Sequence, residues 1–169
     1  MTPFHIIGHA GCGKTTLIAE VVRLLVEKGI RVGSMKHSSH VHELDKPGKD
    51  SYCHRQAGAV PVSMVTDTMT ALYLPRTEEY TPAKLLDTFY AHVDIVLIEG
   101  WISGPYDKIE VWRKAVGRPP LFSSVKKVKA LVSDDSLSLD DSAGVVDQKI
   151  DCLQRSDLTG VVEYVLALV

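Results

Sequence analysis

A short apolar run, Phe4–Ile7, predicts a strand near the start of the chain. After the glycine-rich stretch that follows it, Leu17, Val21, Leu24, Leu25 and Lys28 recur at the spacing of one helix face. Gly29 closes that helix, and Ile30–Lys36 reads as a second strand. Val60–Val65 and Ala71–Leu74 are β-like runs on either side of Thr66–Thr70, the pattern of an antiparallel hairpin at or beyond a sheet edge. Thr81 caps a helix that begins at Pro82 and runs to His92, with Leu85, Leu86 and Phe89 on its apolar face. The unbroken run Ile95–Ile98 suits a central strand buried on both faces. Lys108–Arg113 alternates charged and apolar residues, which predicts a strand with one wet face. Val128–Val132 and Gly144–Asp147 read as further strands, and Leu158–Leu168 as a closing helix with Asp157 near its start. Strand, helix and strand in succession make a βαβ unit. The expectation is one α/β domain over residues 1–169: a mostly parallel sheet flanked by helices, with an edge hairpin suited to pairing with a second chain.

Chemistry enters at the first strand–helix junction. Gly8-His9-Ala10-Gly11-Cys12-Gly13-Lys14-Thr15, followed by Thr16, spells G-x-x-x-x-G-K-T. Glycines let the backbone curl so that successive N–H groups face phosphate oxygens. The lysine reaches the β- and γ-phosphates, and the threonine hydroxyl ligates Mg2+. The motif gains weight from its flanks, because a helix N-terminus adds partial positive charge at the same place.

The segment from Lys36 to Ala59 is polar and rich in His, Lys, Asp and Gly. It follows a strand, so it belongs at the carboxyl edge of the sheet, where α/β proteins bind ligands. Lys36, His37, Lys49 and Arg55 are candidates for anionic groups, and Asp45 for Mg2+ through water. Asp50 is a candidate to orient an attacking water, and equally an N-cap for a short helix toward Gly58. His37, His40 and His42 offer a competing reading as transition-metal ligands, and a solvated loop is the bland alternative.

Glu99 ends the Ile95–Ile98 strand beside the P-loop, the place of a Mg2+-holding or water-polarising carboxylate. The chain contains no asparagine, so the guanine-reading N-K-x-D motif is absent. Asp134, just after Val128–Val132, occupies the comparable place and has the acceptors for guanine N1 and N2. A strand-end turn residue is the alternative.

Composition narrows the class. Hydrophobic residues make up 45% and charged residues 24% of a chain with net charge −2, so no basic field argues for nucleic acid or an anionic membrane. The three cysteines form no CxxC pair, and no apolar run is long enough to span a bilayer. With no basic or long apolar N-terminal stretch, a cytoplasmic location is expected.

The P-loop, the K-H-S-S-H…D-K-P-G-K-D-S…A-G-A block, the I-V-L-I-E-G-W strand end and the K-I-E-V-W-R strand together resemble the molybdopterin-guanine dinucleotide biosynthesis protein B (MobB) family, over residue 3 to about residue 135. The resemblance implies a GTP- and Mg2+-binding protein with weak GTPase activity. It implies a role as adapter or GTP supplier to the molybdopterin guanylyltransferase, and a homodimer joined through intertwined β-structure. Phosphate and Mg2+ roles carry over to Gly11, Gly13, Lys14, Thr15 and Thr16; His37, Asp45, Lys49, Asp50 and Ser51 match the block. Two other activities stand beside it. A small-molecule kinase would have Arg113 and Arg118 as its nearby phosphate-clamping arginines, and a metal-delivering GTPase would use His37, His40 and His42.

Overall fold

The computed structural model describes residues 1–77, 81–137 and 150–169, and within them the chain forms two compact units, Met1–Ser38 with His92–Val169, and Ser39–Ala91. The Gly144–Asp147 strand expectation lies outside the described residues.

The larger unit is built on β1 (Thr2–Ile7). Its sheet also contains β2 (Val32–Lys36), β5 (Ile95–Glu99), β6 (Lys108–Val111), β7 (Val128–Val132) and β8 (Asp151–Leu153). The order is β2-β5-β1-β6-β7-β8, and every pairing is parallel. β1 thus lies between β5 and β6, with Ile6 opposite Glu99 on one side and Ile109 on the other. This register sets the ends of three strands side by side at the point where the chain leaves β1 for the glycine loop.

Side-chain alternation divides the core. Phe4, Ile6, Ala130 and Val132 face α1 (Lys14–Glu27) and α4 (Leu158–Ala167). Leu17, Val21 and Leu25 of α1 and Val161 and Val165 of α4 are buried there. Each such aliphatic side chain contributes roughly 1.5–3 kcal/mol by leaving water. Ile7 and Leu131 face the other way, onto Trp112 and Phe122. α4 starts where Asp157 accepts from the Gly160 amide at 2.9 Å, an N-cap.

β6 departs from the alternating pattern. Lys108, Ile109, Glu110 and Val111 are all buried, so the strand has no wet face. The Lys108 ammonium donates to the carbonyls of Gly104 at 2.7 Å and Tyr106 at 3.0 Å. The Glu110 carboxylate accepts the amides of Leu121 at 2.6 Å and Phe122 at 2.8 Å. These main-chain partners stand in for the solvent that the alternation seemed to require. Burial lowers the Lys108 pKa and pushes Glu110 up to about 7.

In the smaller unit, α2 (Asp50–Gln56) and α3 (Pro82–Phe89) accompany the antiparallel pair β3 (Val62–Val65) and β4 (Thr70–Tyr73). The hairpin forms a two-stranded sheet of its own, not hydrogen-bonded to the six-stranded one among the described residues. Thr81 caps α3 by accepting from the Lys84 amide at 3.3 Å.

Candidate nucleotide-binding site

The loop from Gly8 to Gly13 joins β1 to α1, and its glycines are needed for their conformation. Gly8, Gly11 and Gly13 have φ of 143°, 79° and 94°, the region that L side chains rarely adopt. Gly8 is also sterically closed, since a β-carbon there would lie 2.3 Å from the Val111 carbonyl oxygen and 2.7 Å from Cys12 Sγ. Gly13 stands at the N-cap of α1 without a side-chain cap. The first amides of the helix are therefore left for a ligand or solvent. His9 and Ala10 shape the exposed side of the curl, and His9 Nε2 lies 3.0 Å from the Pro119 carbonyl. Cys12 is buried beneath the loop.

Lys14 turns back over this loop. Its ammonium donates to the carbonyls of Gly8 at 2.9 Å and His9 at 2.8 Å, with Cys12 Sγ at 3.7 Å. Thr15 reaches across to β5, where its Oγ1 is 3.0 Å and 3.1 Å from the two carboxylate oxygens of Glu99. Lys36, at the end of β2, completes the group with its Nζ 3.3 Å from Glu99 Oε1. The Glu99 side chain is only 14% exposed, so it sits between a hydroxyl and an ammonium rather than in bulk water. Three parallel strand and helix ends converge here because β2, β5 and β1 are adjacent and in register at Lys36, Glu99 and Ile6.

The donor set suits the groups that a P-loop serves. A hydroxyl and a carboxylate together are hard oxygen donors of the kind Mg2+ takes with waters and phosphate. The curled glycine backbone, the helix N-terminus and Lys14 suit a polyphosphate.

Behind Glu99, Gly100 has φ 81°, and a β-carbon on it would meet the His37 carbonyl oxygen at 2.8 Å. Trp101 follows at φ 49°, uncommon for a bulky residue. His37 holds it by stacking at 5.2 Å and 15°, and His5 packs on its edge at 5.3 Å. His5 is fully buried, and neither ring nitrogen has a hydrogen-bond partner among the described residues. Burial, with help from Lys108 and His37, lowers its pKa to about 4, so the ring is neutral at physiological pH.

Residues 4–134 match the family model described as MobB, molybdopterin guanine dinucleotide synthesis protein B. The chain belongs to the MobB family. It is 34% identical over 161 residues to the molybdopterin-guanine dinucleotide biosynthesis adapter protein of Escherichia coli K12, covering 88% of this chain and 91% of that one. The crystal structure of Bacillus subtilis MobB matches with a TM-score of 0.73 at 22% identity, covering 99% of this chain and 97% of that one. The MobB homologue from Bacillus stearothermophilus matches at 0.69 and 19%, covering 99% and 97%. The fold is thus that of the MobB structures, a mostly parallel sheet flanked by helices.

The other expected residues of this MobB-family chain lie elsewhere in the larger unit or in the smaller one. Asp134 follows β7, and its Oδ1 accepts from the amide and hydroxyl of Ser156 at 2.8 Å and 2.9 Å, which lowers its pKa. Thr16 is exposed on the first turn of α1. Asp45, Lys49 and Asp50 belong to the smaller unit. Asp45 is buried, accepts from Ser51 Oγ at 3.0 Å and the Lys46 amide at 2.8 Å, and pairs with Arg55 at 3.6 Å. Asp50 is the first helical residue of α2, and Lys49 takes the N-cap place expected of Asp50. The metal reading of the histidines finds no such site: among the described residues no three His, Cys, Asp or Glu side chains could hold an ion. The His40 and His42 rings are 6.2 Å apart, edge to face, and His37 is engaged with Trp101. No helix among the described residues is long and apolar enough to cross a membrane.

His5, and Lys108 and Glu110 from the strand expected to have a wet face, instead lie buried beneath the loops around the site. The only available signal was the presence of a histidine within an apolar strand and two charges in a strand that turned out to be central.

Proposed function

We propose that this MobB-family chain binds GTP with Mg2+ and works in molybdopterin guanine dinucleotide synthesis as an adapter to the guanylyltransferase, hydrolysing GTP slowly if at all. The observation that carries the reading is the approach of Thr15 Oγ1 to both Glu99 oxygens, with Lys36 on the same carboxylate, beside a P-loop of left-handed glycines. Lys14 would leave the Gly8 and His9 carbonyls for phosphate oxygens, a short swing for a flexible ammonium. Thr15 and Glu99 would hold Mg2+, which when bound neutralises charge on the phosphates. Glu99, paired with Lys36, would polarise water weakly, which fits slow turnover.

The adapter role is supported by the 34% identity to the Escherichia coli adapter protein. Self-association through the β3–β4 hairpin is supported by its exposed Met64, Val65, Met69 and Leu72, at 48%, 71%, 71% and 43%. The guanine preference rests on Asp134, and a cytoplasmic location on the biosynthetic role.

Titration of the protein with GTP and with ATP, in Mg2+, tests the reading. GTP is expected to bind, ATP to bind more weakly, and Lys14→Ala to abolish binding while the circular dichroism spectrum is kept. A Lys14→Ala variant that binds GTP with unchanged affinity would overturn it. Capture of the guanylyltransferase by the GTP-loaded chain tests the adapter role.

A further inference from the structure

Arg113 continues β6 in extended conformation, at φ −140° and ψ 130°, directly after the buried Trp112. Its guanidinium lies flat against the P-loop. A β-carbon on Gly13 would be 3.2 Å from Arg113 Nη2, 3.4 Å from Cζ and 3.6 Å from Nε. The residue is exposed, and among the described residues its side chain has no hydrogen bond and no ion pair, while its backbone carbonyl accepts from the Val116 amide at 3.1 Å. Every other arginine near a carboxylate is spent on it: Arg23 on Glu27, Arg31 on Asp94, Arg55 on Glu43 and Arg155 on Glu20.

The segment that carries Arg113 is held against the loop. Trp112 Nε1 donates to the Arg118 carbonyl at 2.9 Å, Glu110 accepts the Leu121 and Phe122 amides, and His9 of the P-loop reaches the Pro119 carbonyl. The guanidinium is therefore presented over the last glycine before the helix, on the β6 side. Lys14 and the Thr15–Glu99 pair approach from the loop interior and from β5. An arginine forks two parallel donors onto a phosphate, which a lone ammonium cannot do.

We propose that Arg113 is a phosphate-binding residue of this site, clamping the polyphosphate of the bound nucleotide from the β6 side, opposite Glu99. The proposal rests on the P-loop reading above. Lys14 and Arg113 then share the charge of the phosphates, and the loop after β6 becomes one wall of the site. Gly13 has no side chain for two reasons: its φ, and the space that the guanidinium takes.

The test is calorimetric titration of wild-type protein, Arg113→Ala and Arg113→Lys with GTP, GDP and GMP in Mg2+ at low salt. Removing a charge-assisted bidentate contact is expected to weaken GTP and GDP binding roughly 10- to 100-fold. GMP binding should change less than about threefold, and Arg113→Lys should recover part of the loss because it keeps the charge. Unchanged GTP affinity in Arg113→Ala would overturn the proposal. So would an equal loss for all three nucleotides, the mark of a disturbed loop rather than a lost phosphate contact. If wild-type protein binds no nucleotide, the P-loop reading itself fails, and the two failures are told apart by that first titration.

Discussion

Thr15 Oγ1 stands 3.0 Å and 3.1 Å from the two oxygens of Glu99, bridging the first turn of α1 to the end of β5. Cation binding at this point would have to exchange that hydrogen bond for two coordination bonds, with no rearrangement of the strands. Glu99→Gln keeps the shape and removes the charge. Turnover of GTP in Mg2+ is expected to fall by about 100-fold or more. Affinity for GTP without Mg2+ should stay within about threefold. Single-turnover hydrolysis and titration in EDTA check the pair of outcomes, and equal turnover in the two proteins would remove Glu99 from the mechanism.

Gly8→Ala carries a different expectation. The new β-carbon meets the Val111 carbonyl at 2.3 Å, a backbone atom of the adjacent strand, at φ 143°. Loop or strand must move, at a cost of roughly 1–3 kcal/mol. Nucleotide binding should be lost together with a lower denaturation midpoint. A substitution at Gly11, where a β-carbon meets nothing within 4 Å, should perturb stability less.

Glu110 and His5 pull stability in opposite directions with pH. The Glu110 pKa is raised from 4.5 to about 7, so its favourable contribution is complete below about pH 4.5 and is lost as pH rises through 7. The His5 pKa is lowered from 6.5 to about 4, so its contribution is present above about pH 6.5 and is lost as pH falls through 4. Between pH 5 and 7.5 the two largely offset one another. Glu110→Gln removes the first and should leave a protein that gains stability, relative to wild type, by about 2–3 kcal/mol as pH rises over that range. Urea unfolding at the two pH values checks it, and parallel behaviour of the two proteins would refute the assignment.

Gly104→Ala tests the packing over His5. A β-carbon would lie 2.2 Å from His5 Cε1 and 3.0 Å from Trp101 Cδ2. Both rings are confined, His5 by Tyr106 at 5.4 Å and Trp101 by His37 at 5.2 Å. Destabilisation of about 1–3 kcal/mol is expected, read as a lower urea midpoint. A midpoint equal to that of wild type would mean the loop lifts freely.

What the sequence made legible was local. The P-loop, the Ile95–Ile98 run, Thr81 as a cap, the closing helix with Asp157 near its start, and the hairpin around Thr66–Thr70 each announce themselves within a few residues. The position of Glu99 was legible, because an acid closing a buried apolar run that ends near the glycine loop falls at the strand end where Thr15 and Lys36 meet it. The failures share a cause, which is partners that no local periodicity reveals. Lys108 and Glu110 read as a wet face because the carbonyls and amides that satisfy them belong to residues 104–106 and 121–122. β8 is three residues long and exists by pairing with β7, so no periodicity marks it. The histidines of residues 37–42 looked like a cluster because they are near in sequence, yet His37 spends its ring on Trp101.

Lys108 and Glu110 have one more property in common: each addresses peptide groups rather than side chains. A peptide carbonyl or amide is present whatever residue occupies the position, proline at the amide excepted. The loops on both flanks of the site can therefore change their outward-facing residues, and with them the surface offered to a partner, without disturbing the anchors beneath. The strand beside the P-loop acts as a fixed mount for interchangeable facings.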